Sequence, residues 1–125
     1  MPVVNHEERP WVLSQSGQRS IRKVANAEVG GTQQSVWRIE HQPGEVVAAH
    51  WHEYEEVIVV LEGEGEATIG DETFPIGPDM SLICPPYTWH GYRNLGSGYL
   101  RVLAILPHPD AVVHREPLPS VETRA

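Results

Sequence analysis

The sequence has one cysteine, Cys84, in 125 residues. No disulfide can form within the chain, and no disulfide framework can substitute for a core. Basic side chains are also scarce: nine lysines and arginines stand against seventeen aspartates and glutamates, a net charge of −8 with histidines neutral. A surface this acidic repels a phosphate backbone and anionic lipid, so neither nucleic acid nor a membrane is expected as a partner. Long apolar runs are missing. The longest, Val57–Leu61 and Val102–Leu106, have five residues each, where a membrane-spanning helix needs ~20. The start of the chain shows no basic segment followed by an apolar one, so a cytoplasmic location is expected. Amphipathic helical periodicity is absent, and eleven glycines and eleven prolines punctuate the chain too often for a helical bundle. No solenoid-length repeat is present. The length suits one domain with one core.

Short β-prone runs separated by turn signals fill the middle of the chain. They are Ser35–His41, Val46–His52, Glu55–Leu61, Glu66–Ile69, Glu72–Ile76, Met80–Cys84, Trp89–Arg93 and Tyr99–Leu106. Pro43-Gly44, the Glu62–Gly65 stretch, Gly70-Asp71, Gly77-Pro78 and Pro85-Pro86 mark the turns. Eight strands at this spacing predict an all-β sandwich or barrel. The predicted organisation is an N-terminal segment with the first strands over 1–34, a barrel core over 35–106, and a proline-rich tail over 107–125.

Strand alternation assigns faces. With His50 and His52 inward, Val46 and Ala48 follow them, and Val47, Ala49 and Trp51 point out. On the next strand Glu56, Ile58 and Val60 point in, and Val57, Val59 and Leu61 point out. An outer face of Val47, Trp51, Val57, Val59 and Leu61 should not meet water. It either packs under the terminal segments or forms a homodimer interface, and the homodimer is the preferred reading.

Seven histidines are many for this length, and their spacing matters more than their number. His50 and His52 are two apart on a strand, so their Cβ atoms sit on one face roughly 6–7 Å apart. Glu56 keeps the same parity and can add a carboxylate. His90, just after the Pro85-Pro86 break, is the best fourth ligand. Imidazole plus carboxylate with open positions suits iron(II), manganese, zinc or nickel. His6, His41, His108 and His114 lie in end segments or at strand ends and are expected to be exposed, with a place near the barrel rim as the alternative for His41. Cys84 is expected to be a small core hydrophobe rather than a nucleophile.

Gly44 through Gly63 reads G-x5-H-x-H-x3-E-x6-G, and Pro85 through Asn94 reads P-x-Y-x2-H-x3-N. The first stretch resembles the first motif of the cupin family at every fixed position. The second, within motif two at 77–94, resembles the second cupin motif with Pro85, His90 and Asn94 in place. Two glycines of that motif are replaced, by Tyr87 and by Asp79. The resemblance implies a single-domain cupin, a jelly-roll β-barrel with one divalent metal in its mouth, and often a dimer. By position, His50, His52, Glu56 and His90 would be the ligands, with iron the preferred metal.

Trp37, Ile39, Ala48, Ile58, Val60, Leu82, Tyr87, Trp89 and Tyr92 are candidate cavity walls, suited to a small, partly apolar organic molecule. Arg38, Arg93 and Arg101 are the internal arginines able to meet a substrate carboxylate. Three functions remain open. The preferred one is a dioxygenase-type oxidoreductase, because a three-histidine, one-glutamate set resembles that of dioxygenase cupins. The second is a non-redox isomerase, lyase, cyclase or decarboxylase, with a Lewis-acid metal and Tyr87 or Tyr92 moving a proton. The third is a non-catalytic small-molecule-binding module.

Overall fold

The computed structural model describes residues 3–13 and 19–124. Its ten strands are β1 (Trp11–Leu13), β2 (Arg19–Ala25), β3 (Ser35–His41), β4 (Val46–His50), β5 (Glu56–Glu62), β6 (Gly65–Ile69), β7 (Glu72–Ile76), β8 (Met80–Cys84), β9 (His90–Asn94) and β10 (Leu100–Leu106). They form two antiparallel sheets. One has the order β1-β2-β3-β10-β5-β8, the other β4-β9-β6-β7. Short 3₁₀ turns at His6–Glu8, Ala27–Val29 and Val121–Thr123 are the helical elements among the described residues, and no helix there is long and apolar enough to cross a membrane.

The period-2 pattern builds the core. On β3, β5 and β10 alternate residues are buried. Ile58, Val60, Leu100, Val102 and Leu106 are almost wholly enclosed, each stabilising the fold by about 1.5–3 kcal/mol relative to an exposed side chain. Val47, Ala67, Ile76 and Tyr92 from the smaller sheet join the same cluster. Two sheets share one core, and the fold is an all-β barrel of jelly-roll type. β3, β7 and β8 match their sequence-predicted limits, and the other predicted strands shift by one or two residues at an end. β1 and β2 fall inside the segment whose first strands had no assigned limits.

The predicted faces of β4 need correction. Val46 is 57% exposed and Ala48 is exposed, while Val47 is 5% exposed and Trp51 4%. The cause is a β-bulge. Val47 pairs with Tyr92 and His50 with His90, so Ala48 and Ala49 together face the single residue Gly91. One extra residue reverses the parity upstream of His50. A Cβ on Gly91 would stand 2.6 Å from the Val47 carbonyl oxygen, so glycine lets the bulge form. Gly63, the last residue of the first motif, has φ +95°, and a Cβ there would stand 2.4 Å from the Tyr99 carbonyl oxygen. Only glycine satisfies both demands.

Trp51 is buried inside the protomer. It pairs with His114 in an isolated bridge, and its indole N–H donates to the Glu116 carbonyl at 2.7 Å. The predicted outer apolar face is thereby reduced. Val57 and Val59 are half-buried and Leu61 is exposed, whereas Val47 and Trp51 are not part of that face.

Candidate metal centre

Three strands and one connecting segment bring four side chains together. His50 ends β4, His90 begins β9 directly opposite it, and Glu56 begins β5. His52 lies between β4 and β5. All four are at least nine-tenths buried, and one ligand atom from each lies within 4.8 Å of every other. Bonds of about 2.1 Å to one ion put ligand atoms at most ~4.2 Å apart, so four atoms within 4.8 Å of one another need only side-chain adjustment to reach one ion.

Each imidazole is oriented by its other nitrogen. The Nδ1–H of His50 donates to the Ala48 carbonyl at 2.9 Å, that of His52 to Val112 at 2.7 Å, and that of His90 to Thr88 at 2.9 Å. Every Nε2 then points into the cluster, where it can meet a proton or a metal ion. Glu56 Oε1 stands 2.7 Å from His90 Nε2, 3.3 Å from His52 Nε2 and 4.0 Å from His50 Nε2. His52 Nε2 is buried with no aligned hydrogen-bond partner. The His90–Glu56 contact is a hydrogen bond, with a proton between the two atoms, and a metal ion would take that proton's place.

Burial and the neighbouring His90 push His50 down to about 4, so its ring is neutral at pH 7. Burial pushes the Glu56 carboxyl up, but His52 and His90 beside it outweigh that and hold it at about 2. Imidazole nitrogens with an ionised carboxylate are the donor set that a divalent transition metal takes. The residues therefore fit such an ion, and the donor types do not select one metal.

The cavity beside the cluster is walled by Trp37, Ile39, Val47, Ile58, Tyr92, Ala104 and Val113. Of the predicted walls, Trp37, Ile39, Ile58 and Tyr92 are there. Val60 and Leu82 lie deeper in the core, and Ala48 faces the outside. Tyr87 does not line the cavity. Its ring stacks on Trp51 at 5.7 Å, with the Arg124 guanidinium 5.0 Å from its centroid. It holds φ +53° and Asp79 holds φ +66°, so both residues that replace motif glycines keep a glycine-like backbone. Trp89 is half-buried and lines no part of the cavity. Arg38 approaches His6, Arg93 pairs with Glu66, and Arg101 pairs with Glu40 and Glu62, so none of the three reaches the cavity.

His41 overturns the expectation of exposure: it is 1% exposed. Its Nδ1 lies 2.6 Å from Glu45 Oε2 and its Nε2 lies 2.6 Å from the Tyr92 hydroxyl. With Glu45 a carboxylate, Nδ1–H donates to Glu45 and Nε2 accepts from Tyr92. The signal for this was present in the sequence, because His41 shares the parity of Trp37 and Ile39. His114 is also half-buried, stacked on Trp51 and paired with Glu53 and Glu116. Cys84 is fully buried, and burial pushes its thiol up to about 12, which makes it inert.

A compact β-barrel with three histidines and a glutamate gathered at one end, able to hold a metal ion, is the architecture of the cupin class. The family model for the Cupin domain matches residues 37–106, and the chain belongs to the cupin family. Among curated proteins it is similar to "Polyketide synthase CurC" of Streptomyces cyaneus, 34% identical over 85 residues, covering 67% of this chain and 53% of that one. It is also similar to 5-nitrosalicylic acid 1,2-dioxygenase of Bradyrhizobium sp, 28% identical over 87 residues, covering 66% and 42%. The chain spans about half the length of these curated relatives. In fold it resembles the polyketide cyclase RemF from Streptomyces resistomycificus, with a TM-score of 0.79 and 22% identity over 95% of this chain and 87% of that one. It also resembles the oxalate decarboxylase of Lactobacillus farciminis, with a TM-score of 0.76 and 18% identity over 86% and 33%.

Proposed function

We propose that the chain is a metal-dependent enzyme that moves a proton on a small, partly apolar, carbonyl-bearing molecule, in a ring-closing or related non-redox reaction. The observation behind this reading is that Tyr92, backed by His41 and Glu45, lines the same cavity as the metal cluster. His50, His52, Glu56 and His90 would hold the ion. A bound divalent metal would supply Lewis acidity to polarise a carbonyl oxygen.

The protein's own residues do the rest. Trp37, Ile39, Val47 and Ile58 exclude water and grip apolar parts of the substrate. Tyr92 Oη is the atom that exchanges a proton with the substrate, and His41 Nε2 is its acceptor inside the protein. Glu45 fixes the imidazole tautomer and offsets positive charge on the ring, as a carboxylate does behind a catalytic histidine. Similarity to a curated polyketide synthase component supports oxygenated carbon chains as the substrate class.

The dioxygenase reading stands second, supported by the similarity to 5-nitrosalicylic acid 1,2-dioxygenase and the same four ligands. One experiment separates the two. The metal-loaded protein is incubated with a panel of β-dicarbonyl chains and salicylates, with and without dioxygen. The proton-transfer reading expects turnover without dioxygen and no oxygen gained in the product. Turnover that needs dioxygen and consumes it stoichiometrically rejects that reading.

The homodimer is proposed on the corrected face. Val57, Val59 and Leu61 stand on the outer side of β5, and Ile83 and Ile105 are the register partners of Val57. Val59→Lys should reduce the solution mass to that of one chain. A wild-type protein already at one chain's mass removes the dimer.

A further inference from the structure

We infer that residues 111–116 form a strap that is part of the metal centre: it lifts to admit a substrate, and lifting it releases one of the ligands. The inference rests on the metal reading above. The free volume between the cluster and its walls is about 20 Å³. That is room for one water, which needs ~10–15 Å³, whereas small-molecule sites run to ~300–1,000 Å³. Something must move before an organic molecule can reach the ligands.

Most walls cannot move. Trp37, Ile39, Val47, Ile58, Tyr92 and Ala104 sit in paired strands of the two sheets. Val113 is the wall residue that comes from beyond β10. Its segment belongs to neither sheet and is tied mainly to residues 51–54. Trp51 and His114 exchange backbone hydrogen bonds at 2.9 and 3.1 Å, the Trp51 indole donates to Glu116, and the Val112 N–H donates to the Tyr54 hydroxyl at 3.1 Å. His114 stacks on Trp51 with ring centroids 4.3 Å apart. His114 also pairs with Glu53, and Ala111 and Val113 pack against the core, but a segment that joins the sheets only through an isolated bridge sits lower in stability than the paired strands and is where local opening occurs.

One further tie is the consequential one. The Val112 carbonyl accepts the Nδ1–H of His52 at 2.7 Å. The corresponding partners of His50 and His90 are Ala48 and Thr88, close to each ligand in its own segment. His52 alone among the three takes its orientation from the strap. An outer-shell partner of this kind is worth roughly 10–100-fold in metal affinity. Strap closure and metal binding are therefore coupled, and the coupling is reciprocal, so a metal must hold the strap shut by the same factor.

The test uses Zn(II) and the full chain. Amide hydrogen exchange at residues 112–116 is compared with and without Zn(II), and Zn(II) affinity is measured by chelator competition for the wild type and His114→Ala. Exchange is expected to slow about tenfold or more on metal binding, and His114→Ala to bind Zn(II) about tenfold more weakly, the low end of the outer-shell range. The exchange comparison needs no variant, so a misfolded His114→Ala leaves the test intact. A wild type that binds Zn(II) with unchanged exchange at 112–116 overturns the strap and leaves the metal centre standing. A wild type that binds no Zn(II), Mn(II), Fe(II) or Ni(II) removes the centre and the strap with it.

Discussion

His52→Ala and His90→Ala are each expected to weaken divalent-metal binding by more than about 100-fold. Loss of a mere outer-shell partner costs roughly 10–100-fold, and these substitutions remove the ligand itself. The geometry makes the two equivalent. His90 Nε2 and His52 Nε2 are the nitrogens nearest the Glu56 carboxylate, at 2.7 and 3.3 Å, so either loss opens one side of the cluster and leaves the carboxylate less compensated. Glu56→Gln tests the remaining side, because it keeps the shape and removes the negative charge. His6→Ala serves as the control, since His6 lies outside the cluster. Metal content after gel filtration, together with chelator competition, reads the result. Wild-type stoichiometry in both His52→Ala and His90→Ala would refute the assignment.

These four side chains were legible in the sequence because they obey two rules that need no tertiary information. Spacing places His50 and His52 on one face of a strand, and the second motif delivers His90. The barrel was legible for a similar reason: alternation in Ser35–His41 and Leu100–Leu106 is regular, and both strands are buried on alternate residues as the pattern implies.

The features that escaped depend on long-range pairing. The bulge at Ala48-Ala49 exists because Gly91, more than forty positions along the chain, leaves space opposite it. No reading of Val46–His50 alone contains that fact, so the faces of Val46, Val47 and Ala48 were inverted. The burial of Trp51 depends on His114 and Glu116, supplied by a proline-rich segment with no periodicity of its own. Tyr87 looked like a cavity residue from its place beside the second motif, but its left-handed backbone turns the ring onto Trp51 instead. The position of His41 at a strand end suggests exposure, whereas its parity with Trp37 and Ile39 points inward, and parity prevails.

Tyr92→Phe is expected to lower the turnover found in the anaerobic assay by about 10²–10⁴-fold, the range that a positioned proton-transfer group contributes, while metal content stays at the wild-type level. The separation of the two readouts matters. Tyr92 is two residues from His90 and shares its strand, so a purely structural disturbance would move both together. The substitution also deprives His41 Nε2 of its buried hydrogen-bond partner at 2.6 Å, which costs stability by about 1–3 kcal/mol. His41→Gln should fall short of Tyr92→Phe in its effect on turnover, because it leaves the hydroxyl in place and removes only the imidazole behind it. If Tyr92 acts with His41 as one unit, the double variant will lose little more than Tyr92→Phe alone, and the coupling measured in denaturant melts should fall in the ~0.5–3 kcal/mol range of contacting pairs. Full turnover in Tyr92→Phe would remove the hydroxyl from the reaction and leave the hydrogen-bonded chain a structural tie between β3 and β9.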